Sequence, residues 1–193
     1  FNSMNMFEIG HSLARQFGPE QWTLYKGRHL LSFLDNHDVD RIASKLTNPD
    51  HLRPAWAMVF GMPGVPAVYY GSEWGMKGAK GRGSDAELRP ALERPEWNDL
   101  TTWISKLAEA KKGSKALCYG AYRNVVLTNK QMIFERACDG ERVLVAINAD
   151  SSPYTAHFDA GCGLAVDLIS GEKHDFGGGS ELPPYSAFFW KCE

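Results

Sequence analysis

The chain opens with apolar positions that recur every three or four residues. Over residues 1–17 this spacing predicts an amphipathic helix, which a Gly-Pro pair ends. Residues 28–34 and 65–70 are short apolar runs without that period, and each predicts a buried strand. Residues 55–60 predict a helix between the two strands. Together these elements predict a right-handed parallel βαβ unit.

The segment after the second predicted strand has a different character. Residues 71–95 are rich in glycine and charge and predict a long loop of the kind that often carries function. Residues 97–112 regain helical spacing, and Gly113 follows two lysines that would close the helix. We therefore predict that residues 1–113 form one domain of the α/β class.

Beyond residue 113, short apolar runs alternate with turn signals. Asp139-Gly140 joins two of these runs and is a strong hairpin signal. The predicted strands are residues 117–122, 125–128, 132–138, 142–148, 154–158, 164–169 and 187–191. Residues 114–193 are therefore predicted to form an all-β domain, a small antiparallel β-sandwich.

Composition narrows the classes of function. Of the 193 residues, 44% are hydrophobic and 23% are charged, which is ordinary for a globular protein. The net charge of −2 and the lack of a basic stripe argue against a nucleic-acid partner. No apolar run approaches the roughly 20 residues that would cross a membrane. The chain starts at Phe1 without a basic leader, which is compatible with a fragment or a processed product.

The four cysteines show no metal-binding or redox spacing. They are Cys118, Cys138, Cys162 and Cys192, and no two of them form a CxxC motif. Their number would allow disulfides. The pattern nevertheless favours reduced thiols, and with them a cytoplasmic location.

Polar residues cluster where each predicted strand of the first domain ends. Asn36, His37 and Asp38 follow the first strand, and Glu73 follows the second. In an α/β barrel the chemistry lies at this end of the strands. His37 could donate to a substrate hydroxyl, with Asp38 as a carboxylate near developing positive charge. From the residues alone, a polar turn that caps the next helix is the favoured explanation of the cluster. A metal site lacks the support of an HxH or HExxH pattern.

Two motifs resemble the α-amylase superfamily of glycoside hydrolases. Phe-Leu-Asp-Asn-His-Asp over residues 33–38 is similar to the motif at the end of barrel strand seven in that superfamily. Residues 64–73 fit its strand-eight motif Gly-x-Pro-x-x-Tyr-Tyr-Gly-x-Glu. Within the superfamily, the chain looks most like cyclomaltodextrinases and maltodextrin-degrading α-glucosidases. The resemblance implies the last strands and helices of a (β/α)8 barrel, followed by the β-sandwich called domain C.

The resemblance also implies roles for individual residues. Asp38 matches the third catalytic carboxylate, which stabilises the transition state, and His37 matches a hydrogen-bond donor to the sugar at the cleavage site. The implied substrate-binding residues are Asn36, Arg41, Asp85 and Arg89. Asn36 would shape the turn, and Arg41 would act on the site through its neighbours or cap a helix. Neither a cofactor nor a metal is implied.

The resemblance implies that the chain is incomplete as an enzyme. A retaining glycosidase needs a nucleophile and an acid/base carboxylate about 5 Å apart. The superfamily carries them on earlier strands, so this chain alone is expected to be inactive. Its implied partner is the N-terminal part of the same barrel, and its implied substrate is an α-glucan or maltodextrin. A homo-oligomer remains open. The rival hypothesis is a non-catalytic member that keeps the fold and binds sugar or protein.

Overall fold

The computed structural model describes residues 1–81 and 84–193, and its first element is helix α1, Met6–Phe17. Asn5 caps this helix, because its side chain accepts a hydrogen bond from the Glu8 amide at 3.3 Å. The buried positions recur along one face, as the sequence spacing predicts, and they are Met6, Gly10, Leu13 and Phe17. The helix ends at Phe17, in agreement with the predicted boundary, but it begins at Met6 rather than at residue 1.

A parallel βαβ unit follows α1. Strands β1, Leu31–Ser32, and β2, Val65–Pro66, pair in parallel, with Leu31 opposite Val65. They are joined by α2, Ile42–Lys45, a 3-10 helix over Pro49–His51, and α3, Leu52–Gly61. The predicted parallel pair is confirmed, but each strand is only two residues long, and the prediction that both strands are buried is wrong. The described residues supply no third strand to extend this pair, and Pro66 has no amide hydrogen to donate.

Apolar side chains remain uncovered along this short pair. Leu31 is 65% exposed, Val65 51% and Phe33 44%. Because strand edges and apolar strand faces are normally covered in folded proteins, this surface is suited to further strands or helices.

The segment from residue 71 to residue 112 ends in a long helix. Two 3-10 helices, Ser72–Trp74 and Ala86–Leu88, lie within the predicted loop. Helix α4 then spans Asp99–Lys112. Its first turn is held by a capping box. The Asn98 side chain accepts a hydrogen bond from the Thr101 amide, and the Thr101 hydroxyl accepts one from the Asn98 amide.

The strand predicted over residues 117–122 is wrong in its first part. Residues Lys115–Tyr119 form a short helix, α5. Ser114 caps it by accepting a hydrogen bond from the Leu117 amide at 3.1 Å. The first strand of the predicted second domain starts only at Ala121. A short apolar run is compatible with a helix or a strand, and the capping serine favours the helix.

The remaining strands form a mostly antiparallel structure. They are β3 Ala121–Leu127, β4 Gln131–Cys138, β5 Glu141–Asn148, β6 Tyr154–Ala156, β7 Leu164–Asp167, β8 Lys173–Asp175, β9 Ser180–Leu182 and β10 Ala187–Cys192. Six of them make one sheet in the order β3-β4-β5-β10-β7-β8, and β6 pairs with β9. Asp139 and Gly140 turn the β4–β5 hairpin at positive φ, as predicted.

The sandwich prediction is confirmed only in its antiparallel character. Across the described residues, the second layer is the two-stranded β6–β9 ribbon rather than a sheet of similar size. Strands β8 and β9 were not predicted, because each has only three residues and five of these six residues are polar. The larger sheet instead packs its other face on helices α1, α3 and α4.

One hydrophobic core joins the two predicted domains. Helices α1, α3 and α4 contribute Leu13, Trp56 and Leu107, and the large sheet contributes Phe134 and Phe189. A second, smaller core lies on the other face of the sheet, around Trp190 and Leu182. The two parts therefore fold against each other rather than as separate bodies.

Two buried basic side chains hold this junction together. Lys111 Nζ donates to the carbonyls of Phe60, Met62 and Leu117, each at 3.1 Å. Arg136 on β4 donates to the Gly61 carbonyl at 2.8 Å and also to that of Gly120. These carbonyls lie at the C-terminal ends of α3 and α5, where the helix dipole favours positive charge. Within the described residues, no helix combines the length and apolar character needed to span a membrane.

Candidate functional site

A tight polar turn follows β1 and presents two side chains to solvent. Asn36 Oδ1 accepts a hydrogen bond from the Asp38 amide at 2.8 Å, which closes the turn. The side chains of His37 and Asp38 are 51% and 59% exposed. The turn therefore leaves the Asp38 carboxylate accessible to a ligand, and Asn36 shapes the backbone beneath it.

The exposed carboxylate is surrounded by a small charge network. His37 Nε2 lies 3.2 Å from Asp38 Oδ2, and Arg89 Nη2 lies 3.3 Å from Asp38 Oδ1. The same Arg89 nitrogen is 3.4 Å from Asp85 Oδ2. These distances are long, and the groups are about half exposed, so the ion pairs contribute only about 0–1 kcal/mol each to stability. A ligand can displace them at little cost.

The loop after β2 brings Arg89 to this point. Asp85 directly precedes the 3-10 helix Ala86–Leu88, and Arg89 follows its last residue. Arg89 Nε also donates to the His37 carbonyl at 3.3 Å. The structure thus places five of the predicted site residues around one exposed position, namely Asn36, His37, Asp38, Asp85 and Arg89. Their roles toward a substrate stay a prediction.

Arg41 lies beneath this surface and is completely buried. Its guanidinium donates to the Tyr70 carbonyl at 2.7 Å, to Ser72 Oγ at 3.0 Å and to the Leu88 carbonyl at 2.8 Å. Its Cζ is 4.2 Å from the ring centre of Tyr69. This placement does not fit direct substrate contact. It fits the alternative prediction that Arg41 acts through its neighbours.

Asp35 completes the buried support. One carboxylate oxygen accepts from the Ser72 hydroxyl and the other from the Ile42 amide, both at 2.7 Å. Asp35 and Arg41 therefore both contact Ser72, at the start of the loop that follows β2. Sequence reasoning missed Asp35 and Ser72 as supports. The Asp35 position, directly before the polar turn, is a signal that could have indicated it.

Tyrosine rings form one wall of the site. Tyr69 lies 6.3 Å from the His37 ring and packs edge-to-face on Tyr70 at 4.7 Å. Burial raises the pKa of the Tyr69 phenol, and its neighbour Tyr70 adds to this shift. Tyr69 is therefore a neutral hydrogen-bonding group at ordinary pH. In the described part of the chain, His, Cys, Asp and Glu side chains do not gather into groups of three or more that could hold a metal ion.

The sequence comparison decides the family. Residues 7–133 match the family described as Alpha amylase, catalytic domain. The chain belongs to the alpha-amylase catalytic-domain family. The match continues past residue 113, through β3 and into β4, so it does not itself mark the predicted domain boundary.

Two curated relatives agree with membership of the alpha-amylase family, and a solved structure has the same fold. A cyclomaltodextrin glucanotransferase from Niallia circulans is 32% identical over 153 residues, covering 77% of this chain and 20% of that protein. An alpha-amylase from the same organism is 33% identical over 152 residues, covering 78% of this chain and 27% of that protein. This chain thus spans about a fifth to a quarter of these relatives. The fold matches an Anoxybacillus alpha-amylase with a TM-score of 0.76 at 21% identity, covering 97% of this chain and 45% of that chain.

Proposed function

We propose that the chain is the C-terminal part of a retaining glycoside hydrolase that cleaves α-1,4-glucosidic bonds in α-glucans or maltodextrins. Residues 1–113 would supply the last strands and helices of its barrel, and residues 114–193 its domain C. Family membership supports the general chemistry. The names of its relatives, cyclomaltodextrin glucanotransferase and alpha-amylase, support an α-glucan substrate and fit either hydrolysis or transfer.

The observation that carries the proposal is the exposed Asp38 carboxylate at the C-terminal end of a parallel strand. Positive charge develops on the sugar ring in an oxocarbenium-like transition state. A carboxylate held nearby stabilises that charge more than it stabilises the ground state. Only weak, half-exposed ion pairs occupy Asp38, so a sugar ring could replace them. His37, 3.2 Å away, would donate to a sugar hydroxyl.

Asp85 and Arg89 would bind a sugar beside the reaction centre. Arg89 offers several N–H donors in a fixed plane, and Asp85 offers an acceptor, so together they can hold two hydroxyl groups of one ring. In the free protein Arg89 contacts Asp38 as well as Asp85. Sugar binding would therefore redistribute the Arg89 contacts without exposing a buried charge.

The missing carboxylates would come from the N-terminal part of the same barrel. The uncovered apolar side chains of Leu31, Phe33 and Val65 support this partner, because a neighbouring barrel strand and helix would cover them. We expect the chain on its own to be inactive toward glycosides. The cytoplasmic location remains a prediction, which fractionation of the source cells would test.

The test is Asp38→Asn in the whole protein that contains this chain. The variant keeps the size of the side chain and should fold, but kcat on maltodextrins should fall about 10²–10³-fold. Asp50→Asn is the matched control, because Asp50 is exposed in the same β1–β2 connection and lies outside the site. A near-normal kcat for Asp38→Asn would refute the assignment. A whole protein that binds maltotriose without cleaving it would favour the non-catalytic rival.

A further inference from the structure

Two cysteine thiols meet where β10 ends beside the loop before β7, and both pack against the smaller hydrophobic core. Cys162 lies in the loop before β7, and Cys192 ends β10. Their Sγ atoms are 2.6 Å apart, so no other atom separates them. Both residues are partly exposed. This contact brings together two residues that are 30 positions apart in the sequence.

Local structure holds both thiols in place. The end of β10 pairs with β7, where Cys192 lies opposite Ala165, and the Glu193 amide donates to the Leu164 carbonyl at 3.1 Å. Backbone pairing therefore fixes Cys192 beside the strand that follows Cys162.

Arg142 fixes the loop that carries Cys162. Its guanidinium donates to the Ala160 carbonyl at 2.8 Å and to the Gly161 carbonyl at 3.3 Å. Arg142 Nη2 also donates to Glu135 Oε2 at 2.6 Å. The backbone directly before Cys162 is thus anchored to β4 and β5. This anchoring holds the Cys162 thiol in place beside the Cys192 thiol.

We propose that Cys162 and Cys192 form an intramolecular disulfide when the protein meets a small organic disulfide as oxidant. The Cys162 thiolate attacks one sulfur of the oxidant, which forms a mixed disulfide and releases one thiol. Cys192 then gives up its proton and attacks the Cys162 sulfur, which releases the second thiol. One disulfide is consumed, two small thiols are formed, and the two protons from the cysteines end on them.

The order of these steps follows from burial. Burial raises the pKa of the Cys192 thiol to about 12, and the neighbouring Cys162 thiol adds to this shift. Cys192 is therefore a poor first nucleophile at neutral pH, and it reacts only once Cys162 carries the mixed disulfide directly beside it. The product would tie the end of β10 to the loop before β7. In a reducing cytoplasm the pair would stay as thiols, and an oxidising compartment would close it.

The other two cysteines provide internal controls. Cys118 Sγ donates to the Lys111 carbonyl at 3.1 Å, and Cys138 ends β4. In the described contacts neither has a thiol neighbour, so the oxidant should not crosslink them.

The experiment treats the folded whole protein with oxidised glutathione, then unfolds it in N-ethylmaleimide and maps the peptides. Of the four cysteines in this chain, only Cys118 and Cys138 should be alkylated, with Cys162 and Cys192 recovered as one linked peptide. A sample reduced first should show all four alkylated. Cys138→Ser should keep the link, and Cys162→Ser should lose it. Alkylation of both Cys162 and Cys192 after oxidation, or glutathione retained on Cys162, would overturn the proposal.

Discussion

Replacement of Arg41 by methionine should weaken the fold and the site together. Methionine fills much of the same space but removes the donors to the Tyr70 carbonyl, Ser72 Oγ and the Leu88 carbonyl. Ser72 and Leu88 are fully buried, so water cannot replace the lost bonds there. The Leu88 carbonyl is left without this partner, which costs about 1–3 kcal/mol, whereas Ser72 Oγ still donates to Asp35 and loses one hydrogen bond worth about 1 kcal/mol. The lost stacking on Tyr69 adds about 1 kcal/mol.

The sum is a loss of about 3–5 kcal/mol, in line with the cost of removing one partner from a buried charged network. Such a loss is a large part of the 5–15 kcal/mol that a domain typically has. Arg53→Met is the matched control, because Arg53 is exposed and only stacks over Trp103 at 5.7 Å. Urea unfolding of the whole protein, followed by tryptophan fluorescence, measures both variants.

Arg41→Lys separates charge from geometry. A single Nζ keeps the positive charge but cannot reach all three acceptors, so its stability should fall between those of the wild type and Arg41→Met. Because the Leu88 carbonyl directly precedes Arg89, we expect both variants to lower activity as well. An Arg41→Met protein within 1 kcal/mol of Arg53→Met would refute the reasoning that Arg41 supports the site.

Three further predictions concern a substrate contact, a buried lysine and an uncovered edge. Arg89→Ala should lower kcat/KM on maltotriose while the melting temperature barely changes, and unchanged kinetics would leave Arg89 as a surface ion pair worth about 0–1 kcal/mol. Burial lowers the pKa of Lys111 to about 7, so between that pH and its ordinary pKa the unfolded chain binds more protons than the folded chain. The free energy of unfolding, measured relative to Lys111→Met, should therefore rise by about 3–5 kcal/mol from about pH 7 to pH 10. A flat difference would mean that its three carbonyl partners keep Lys111 charged. The isolated chain should self-associate through Leu31 and Val65 in light scattering, and a freely monomeric, cooperatively unfolding chain would count against a partial barrel.

Local patterns predicted the elements whose signals are local. Helix α1 follows from apolar spacing, and the β4–β5 hairpin follows from Asp139-Gly140, whose backbone takes the positive φ angles that this turn requires. Helix α5 was missed because a short apolar run does not distinguish helix from strand. The side chain of Ser114, which caps α5, is the signal that identifies this run as a helix.

The exposed and buried parts of the site differ in how far sequence could indicate them. His37 and Asp38 lie in a motif of consecutive residues, and Asp85 and Arg89 are one helical turn apart, so their proximity is encoded locally. The position of Arg41 is not encoded locally, because its acceptors lie 29 to 47 residues away in the sequence and two of them are backbone carbonyls. Every residue carries such a carbonyl, and residue type alone cannot show which one an arginine will reach.

The most direct measurement traps the sugar on the enzyme. A slow fluorosugar substrate that leaves a covalent glycosyl group on the nucleophile is incubated with the whole protein, and the labelled peptide is mapped. The account predicts a label on a carboxylate upstream of Phe1, formed about 10²–10³-fold more slowly in Asp38→Asn. A label on Asp38, on Asp85 or on any other residue of this chain would contradict it, because the nucleophile would then lie within the part that we propose only supports the transition state.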